Sequence, residues 1–251
     1  MESAIIGGTG VYSIPGVALE QQVIDTEYGP ALVYVGCIEG QEIAFLARHG
    51  VRHDVPPHKI NYRANIRALK KLGVKRALAT FAVGSISRSV PPQSVAVVTD
   101  FLDFTSGRAH TFFDGGDSGL AHTSMDEAYC PTLRARMIEL APQVGLPLLP
   151  SAVYVATNGP RFETPAEIRM YDRLGGDVVG MTGVPEVCLA HEVGIHYAAL
   201  AYSINWAAGL EEKTVIVSDG IAAIREKMIA LLVRTLQEPS VFACGCENAR
   251  I

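Results

Sequence analysis

The feature that most constrains this chain is a rhythm. Short apolar runs stop on a glycine or a polar residue and hand over to stretches with helical spacing. The first run, at residues 4–6, passes directly into Gly7-Gly8-Thr9-Gly10. Runs at 31–35 and 42–47 follow, parted by a turn around Glu39-Gly40, and the second stops at Arg48-His49-Gly50. Residues 52–59 contain Pro56-Pro57 and read as a loop. Apolar spacing over 61–72 predicts a helix ended by Gly73. Further strands are predicted at 76–83, 94–101, 152–156, 178–181 and 196–204. Further helices are predicted at 130–140, 165–174, 185–193 and 219–236, the last with one apolar stripe. Strands alternating with helices specify an α/β fold. No repeat, low-complexity tract or linker interrupts the pattern, so one domain over residues 1–251 is the simplest account.

A chain of 251 residues can bury a core without staples. With 49% hydrophobic and 19% charged residues, disorder is excluded as its main state. The net charge of −5 argues against a nucleic-acid groove, yet it allows a local positive pocket for a small anion. No apolar run reaches the roughly 20 residues that span a bilayer. The start, MESAIIGGTG, lacks the basic and apolar regions of a signal peptide, so the expected location is cytoplasmic. Five cysteines at wide spacing do not form a secreted disulfide framework. Cys244-Gly-Cys246 stands apart, open to a structural disulfide, a redox role or metal ligation.

Several polar residues fall at strand ends: Thr9, Arg48, Ser85, Thr182 and Asn205. Ligands of α/β sheets gather at strand carboxyl ends, so these positions suggest one site. Gly7-Gly8-Thr9-Gly10 is either a plain glycine turn or a phosphate turn, with backbone N–H groups and the Thr9 hydroxyl as donors. It is no full dinucleotide fingerprint, because Tyr12 stands at the sixth position. Arg48-His49 suits an anion, since a guanidinium matches phosphate with two parallel hydrogen bonds; a surface salt bridge is the plainer alternative. His49, His53 and His58 lie on a Pro-rich loop without a carboxylate or cysteine at zinc spacing.

The segment from Asn158 to Glu167 is the most informative. Thr164 and Glu167 spell a helix capping box. That leaves Phe162 to stack on a planar base and Glu163 to accept an N–H from it. Gly180-Met181-Thr182-Gly183 repeats the strand-to-helix turn. Thr182 offers a hydroxyl to an anion, and Met181 is either core packing or a ligand contact. Glu186 is either a helix-dipole partner or a ligand for ribose hydroxyls.

Taken together, AIIGGTG, FLARHG, HKINYRANIRALKKLGV, TFAVGSI, DFLDFTSGR, NGPRFETPAEIRM and GDVVGMTGVPEVCLAHE resemble the trimeric nucleoside phosphorylases. These include purine nucleoside phosphorylase and methylthioadenosine phosphorylase. The stretches run in family order over most of the chain. The resemblance implies a single α/β domain around a twisted, mixed, partly barrel-like sheet flanked by helices. It also implies a homotrimer or dimer of trimers. It implies no metal and no organic cofactor, inorganic phosphate being the co-substrate. By the same resemblance Thr9, Arg48, His49, Ala82 and Thr182 hold phosphate. Phe162, Glu163 and Asn205 face the base, and Met181 touches the ribose. His122 approaches the 5′ end of a neighbouring subunit's substrate, and Asn205 and His49 carry the chemistry.

Adenine-preferring relatives have Asp at the position of Asn205, whereas those taking 6-oxopurines pair Asn with Glu at the position of Glu163. Asn205 and Glu163 together therefore imply inosine, guanosine or S-methyl-5′-thioinosine as substrate, with S-methyl-5′-thioadenosine as the alternative. Two departures stand out. Phe81 occupies a position where relatives place Thr or Asn, which would leave the phosphate one hydroxyl short. Pro91-Pro92-Gln93-Ser94-Val95 replaces the usual Pro-Gly-Asp turn. A dinucleotide-binding oxidoreductase and a non-catalytic nucleoside-binding homologue are the readings from other classes.

Overall fold

In the computed structural model, which describes residues 1–217, 219–237 and 242–251, β1 (Ser3–Gly7) is buried along its whole length. It lies between two parallel neighbours, β4 (Gln41–Ala47) and β5 (Arg76–Ser85). A parallel strand covered on both faces must be a continuous apolar run, as Ala4-Ile5-Ile6 is. Beyond β4, β3 (Gly29–Ile38) pairs antiparallel, and β2 (Glu20–Thr26) closes that edge antiparallel to β3. The sequence pattern does not predict β2. Its residues are mostly polar and its Val23 is 60% exposed, so the strand lacks the buried face that marks one.

On the other side, β5 is used twice. It runs parallel to β9 (His196–Trp206), and its last residues also pair antiparallel with β8 (Val178–Gly180). β8 lies parallel to β7 (Leu148–Ala156), and β7 parallel to β6 (Val95–Asp103). β6 is antiparallel to β9. The order is β2-β3-β4-β1-β5-β8-β7-β6-β9, and the return of β9 to β5 closes part of the sheet into a barrel. The fold is α/β with a mixed, partly barrel-like sheet.

Alternate residues of β1 face opposite sides of the sheet. Ala4 and Ile6 join a core with Ile66 and Leu69 of α1 (Tyr62–Lys71) and Val187 and Leu189 of α4 (Glu186–Glu192). Ile5 joins a second core with Leu133 and Met137 of α2 (Pro131–Leu140) and Met228 and Leu232 of α5 (Ile221–Gln237). Each of the larger of these side chains, the Ile, Leu, Val and Met, contributes roughly 1.5–3 kcal/mol by leaving water. Ile168 and Tyr171 of α3 (Pro165–Arg173) pack on Val155 and Val179 in a smaller cluster. The expected capping box opens α3, with Thr164 and Glu167 each bonded to the other's backbone. The Pro91-Pro92-Gln93 turn places Gln93 at φ 71°, a conformation that favours glycine. Among the described residues no helix is long and apolar enough to cross a membrane.

Candidate active site

Because β1, β4, β5 and β9 are mutually parallel, the segments leaving their carboxyl ends emerge on one side of the sheet. A cavity of about 470 Å³ opens there, a size that suits a small organic ligand. Its wall brings together Thr9, His49, Ala82, Phe162, Glu163, Met181, Thr182 and Asn205. Two of the sequence candidates, Arg48 and His122, are not part of that wall.

One end of the cavity is suited to an anion. Gly8 sits so close to β5 that a Cβ there would lie 2.4 Å from the Thr80 carbonyl oxygen, so only glycine fits. Its N–H points inward and donates to the Thr80 hydroxyl at 3.0 Å. This narrows the expected phosphate turn: Gly8 and Thr9 both line the cavity, but the Gly8 N–H is already used, which leaves Thr9 as the donor. Thr182 reaches the wall from the exit of β8. Its backbone N–H and that of Gly183 both donate to the Tyr154 hydroxyl, at 3.1 and 3.2 Å, which fixes the turn.

His49 follows directly on β4. Its Nδ1 lies 2.9 Å from the Val55 carbonyl oxygen, which can only accept, so Nδ1 carries the proton. In the neutral ring Nε2 is then the acceptor. Burial lowers the His49 pKa to about 4, with the nearby Arg48 and His53 adding to the fall. The ring is therefore neutral at pH 7, and an arriving anion favours its protonation.

Arg48 departs from the expected direct contact. Its guanidinium is buried one layer behind the cavity. Nε donates to Glu186 Oε2 at 2.6 Å, Nη2 to Oε1 at 2.7 Å, and Nη1 to the Thr80 carbonyl at 3.3 Å. Tyr197, kept protonated by burial, adds a hydroxyl to Glu186 Oε1 at 2.5 Å. A buried guanidinium must be paired, and the first residue of α4 supplies the carboxylate. The same pairing removes Glu186 from consideration as a ribose ligand. Phe81 is also inside. Its ring packs tilted against Tyr154, with centroids 4.9 Å apart, and lies under the Arg48 guanidinium at 5.2 Å, so it offers the cavity no polar group.

The other end is suited to a planar base. Phe162 is 56% exposed on the rim. Glu163 is half-buried, with Oε1 accepting from the Thr157 hydroxyl at 2.7 Å and Oε2 left for a ligand. Asn205 is buried inside β9, not beyond its end as the sequence pattern predicts. A bulge between Val83 and Gly84 and their β9 partners inserts Ile204, so that Ile204 and Asn205, though adjacent, both reach the cavity. Asn205 Nδ2 donates to the Trp206 carbonyl at 2.8 Å, leaving one N–H and the amide oxygen available. Gly159, at φ 59°, lets Met181 approach so closely that a Cβ would meet its sulfur.

Arg108 holds these two turns together. Its Nη2 donates to the carbonyls of Thr157, Asn158 and Met181, and its Nη1 to that of Val184. Sequence reasoning missed it, because an arginine after a strand carries no mark of the four carbonyls it gathers. It also missed Thr214 and Ile216, which line the cavity from the segment after β9. Ser85 was expected near the site. Its hydroxyl instead donates to the Val90 carbonyl and contacts Ser203, within the sheet. His122 is exposed and lies beside the C-terminal residues, where its carbonyl accepts from the Ile251 N–H.

Comparison with known proteins agrees with this geometry. A family model described as Phosphorylase superfamily matches residues 2–237. The 6-oxopurine nucleoside phosphorylase of Pyrococcus furiosus is 44% identical, covering 98% of this chain and 96% of that protein. A Methanopyrus kandleri protein named "Probable S-methyl-5'-thioinosine phosphorylase" is 42% identical, covering 99% of this chain and 97% of the relative. Among solved structures, a methylthioadenosine phosphorylase from an antarctic soil metagenomic library superposes with a TM-score of 0.86 at 31% identity, over 99% of this chain and 90% of the other.

Proposed function

The chain belongs to the phosphorylase superfamily, and from that premise we propose that it cleaves 6-oxopurine nucleosides with inorganic phosphate, releasing the free base and a sugar 1-phosphate. The substrates are inosine, guanosine and S-methyl-5′-thioinosine. One observation carries the choice of base: Glu163 and Asn205 line one cavity, with a carboxylate oxygen and an amide N–H left over from their protein partners. A 6-oxopurine presents N1–H to the carboxylate and O6 or N7 to the amide. A 6-aminopurine presents an unprotonated N1, and a site built for one hydrogen-bond pattern rejects the other strongly.

The reaction follows from charge. As the glycosidic bond stretches, the sugar becomes cationic, much like an oxocarbenium ion. Phosphate, held by Thr9, His49, Thr182 and the Ala82 backbone, stabilises that cation and attacks C1′. The leaving base gathers negative charge, and the Asn205 N–H meets it. A donor placed where charge develops typically contributes about 3 kcal/mol. Neutral His49, with its Nε2 lone pair toward the cavity, accepts the proton of a phosphate oxygen and leaves the dianion as nucleophile. Arg48 acts from behind the wall, its field moderated by Glu186. The scheme asks for no metal or organic cofactor at the reacting atoms.

In the same reading the working enzyme is a cytoplasmic homotrimer or dimer of trimers in purine salvage, and the exposed His122 serves a neighbouring subunit. The decisive assay measures phosphate-dependent base release from inosine, guanosine, adenosine and their 5′-methylthio analogues. Hypoxanthine and guanine should be released faster than adenine. Faster adenine release would replace this reading with methylthioadenosine phosphorylase. Nucleoside binding without turnover would make the chain a non-catalytic homologue.

A further inference from the structure

Away from the cavity, the unusual Cys244-Gly-Cys246 segment folds onto the beginning of β9. Four side chains from three parts of the chain converge there: Cys130 at the entry to α2, His196 at the first residue of β9, and Cys244 and Cys246. Their ligand atoms all lie within 4.8 Å of one another. Cys130, His196 and Cys246 are buried and Cys244 is half-buried. From these positions we propose that the tetrad is a structural Zn2+ site of the Cys3His type.

The distances suit that ion. Zinc–sulfur bonds of about 2.3 Å and zinc–nitrogen bonds of about 2.0 Å give tetrahedral edges of about 3.8 Å between sulfurs and about 3.5 Å from sulfur to nitrogen. Cys130 Sγ lies 3.6 Å from Cys244 Sγ and 3.6 Å from His196 Nδ1, and Cys244 Sγ lies 3.2 Å from the same nitrogen. The histidine has the tautomer a metal needs. Its Nε2 faces Glu247 Oε1 at 3.2 Å, a carboxylate that accepts a hydrogen bond from Nε2–H and so leaves the Nδ1 lone pair toward the three sulfurs. A carboxylate on the far nitrogen is the usual support of a metal-bound imidazole. Phe242 stacks on the ring at 3.8 Å and holds its plane.

A disulfide accounts for less of this arrangement. Cys130 Sγ and Cys244 Sγ lie 3.6 Å apart, outside bonding distance, and a bond between any two of these three would strand the third beside a histidine aimed at it. The remaining cysteines, Cys37 and Cys188, lie outside the cluster. Three soft sulfurs and one imidazole select zinc over magnesium or calcium. On binding, the thiol protons pass to solvent and no electron moves. A surface cleft bounded by Glu42, His196, Phe242 and Glu247 gives the ion a route in. The site lies about 30 Å along β9 from Asn205 at strand rise. Its work is to tie the C-terminal segment to α2 and β9, independently of phosphorolysis.

Cobalt tests this directly on the full chain, purified and reduced without oxygen. Titration with Co2+ should give intense visible bands and sulfur-to-cobalt charge transfer that saturate at one ion per chain, and Zn2+ should bleach them. Cys246→Ser should lose the tetrahedral spectrum, whereas His196→Cys should keep it with a stronger charge-transfer band. Metal analysis of the protein purified with Zn2+ should find one zinc per chain after dialysis. A weak spectrum of hydrated cobalt, or an anaerobic protein whose intact mass is two hydrogens light and which holds no zinc, overturns the site in favour of a disulfide. None of these readings depends on catalysis, so they stand or fall apart from the proposed reaction.

Discussion

Arg48 and Glu186 meet in a two-pronged pair at 2.6 and 2.7 Å, with neither side chain more than 1% exposed. Behind the anion end of the cavity the two charges offset one another, and the Tyr197 hydroxyl completes the carboxylate. Removing one partner strands the other charge inside the protein. Glu186→Ala should cost about 3–5 kcal/mol in urea unfolding. The double change Arg48→Met with Glu186→Leu should recover most of that loss. A double variant as unstable as the single one would show that packing around α4, and not the stranded charge, sets the cost.

Glu163 depends on Thr157 for its aim. Thr157→Val leaves the carboxylate without its 2.7 Å anchor but still charged. Inosine kcat/KM should fall about tenfold, the value of a hydrogen bond to a charged group. Glu163→Ala should cost about a hundredfold, because the base N1–H then goes unpaired. In both variants the phosphate KM should stay within about twofold, since the carboxylate meets the base and not the anion. Steady-state kinetics with each substrate varied in turn checks this.

Asn205→Asp should turn the site toward 6-aminopurines. The amide now donates to the Trp206 carbonyl at 2.8 Å, and a carboxylate facing that carbonyl is favoured in its protonated form. Its single O–H can then turn from that carbonyl to N7, while the other oxygen accepts from an amino group. The ratio of inosine to adenosine kcat/KM should fall at least about tenfold, equivalent to about 1.4 kcal/mol. An unchanged ratio removes the assignment of the base to this residue.

Much of the cavity wall could be read from the chain because its residues sit one or two places from a strand end. Thr9, His49 and Thr182 are of this kind, and topology alone brings such ends together. Phe162 and Glu163 were legible for a different reason: the capping box uses Thr164 and Glu167 and leaves its neighbours unemployed. What was not legible is pairing across the fold. Arg48 and Glu186 are 138 residues apart, and nothing local says that the guanidinium turns inward. Asn205 reaches the cavity through a bulge, which alternation along a strand cannot foresee. The convergence of His196 with the cysteines has the same character, since His196 reads as the start of a buried strand.

His49 makes a pH prediction with a definite sign. Its pKa falls from the ordinary 6.5 to about 4 on folding, chiefly through burial. Above pH 6.5 both folded and unfolded rings are neutral and the residue costs nothing. As pH drops from 6.5 toward 4, the unfolded chain takes up a proton that the folded one refuses, and stability is lost. The full effect is about 1.4 kcal/mol per pH unit for one proton. His49→Gln should flatten the fall in urea midpoint between pH 6.5 and 4. Saturating phosphate should flatten it too, because a bound anion favours protonation of the ring. An equal slope in wild type and His49→Gln refutes the assignment.

Arg108 yields the prediction that separates positioning from chemistry. Its two terminal nitrogens gather the carbonyls of Thr157, Asn158, Met181 and Val184, joining the turn that bears Glu163 to the turn that bears Thr182. Only a planar fork spans such an array, and an ammonium is a single point. Arg108→Lys should therefore keep the charge and lose the span. Because the turns hold base and anion respectively, nucleoside and phosphate KM should both rise, by about threefold to tenfold, on the order of 1 kcal/mol each. The inosine-to-adenosine preference should persist, because Glu163 and Asn205 remain. A variant that lost that preference while keeping its KM values would place Arg108 at the base itself, in conflict with its position behind the turns.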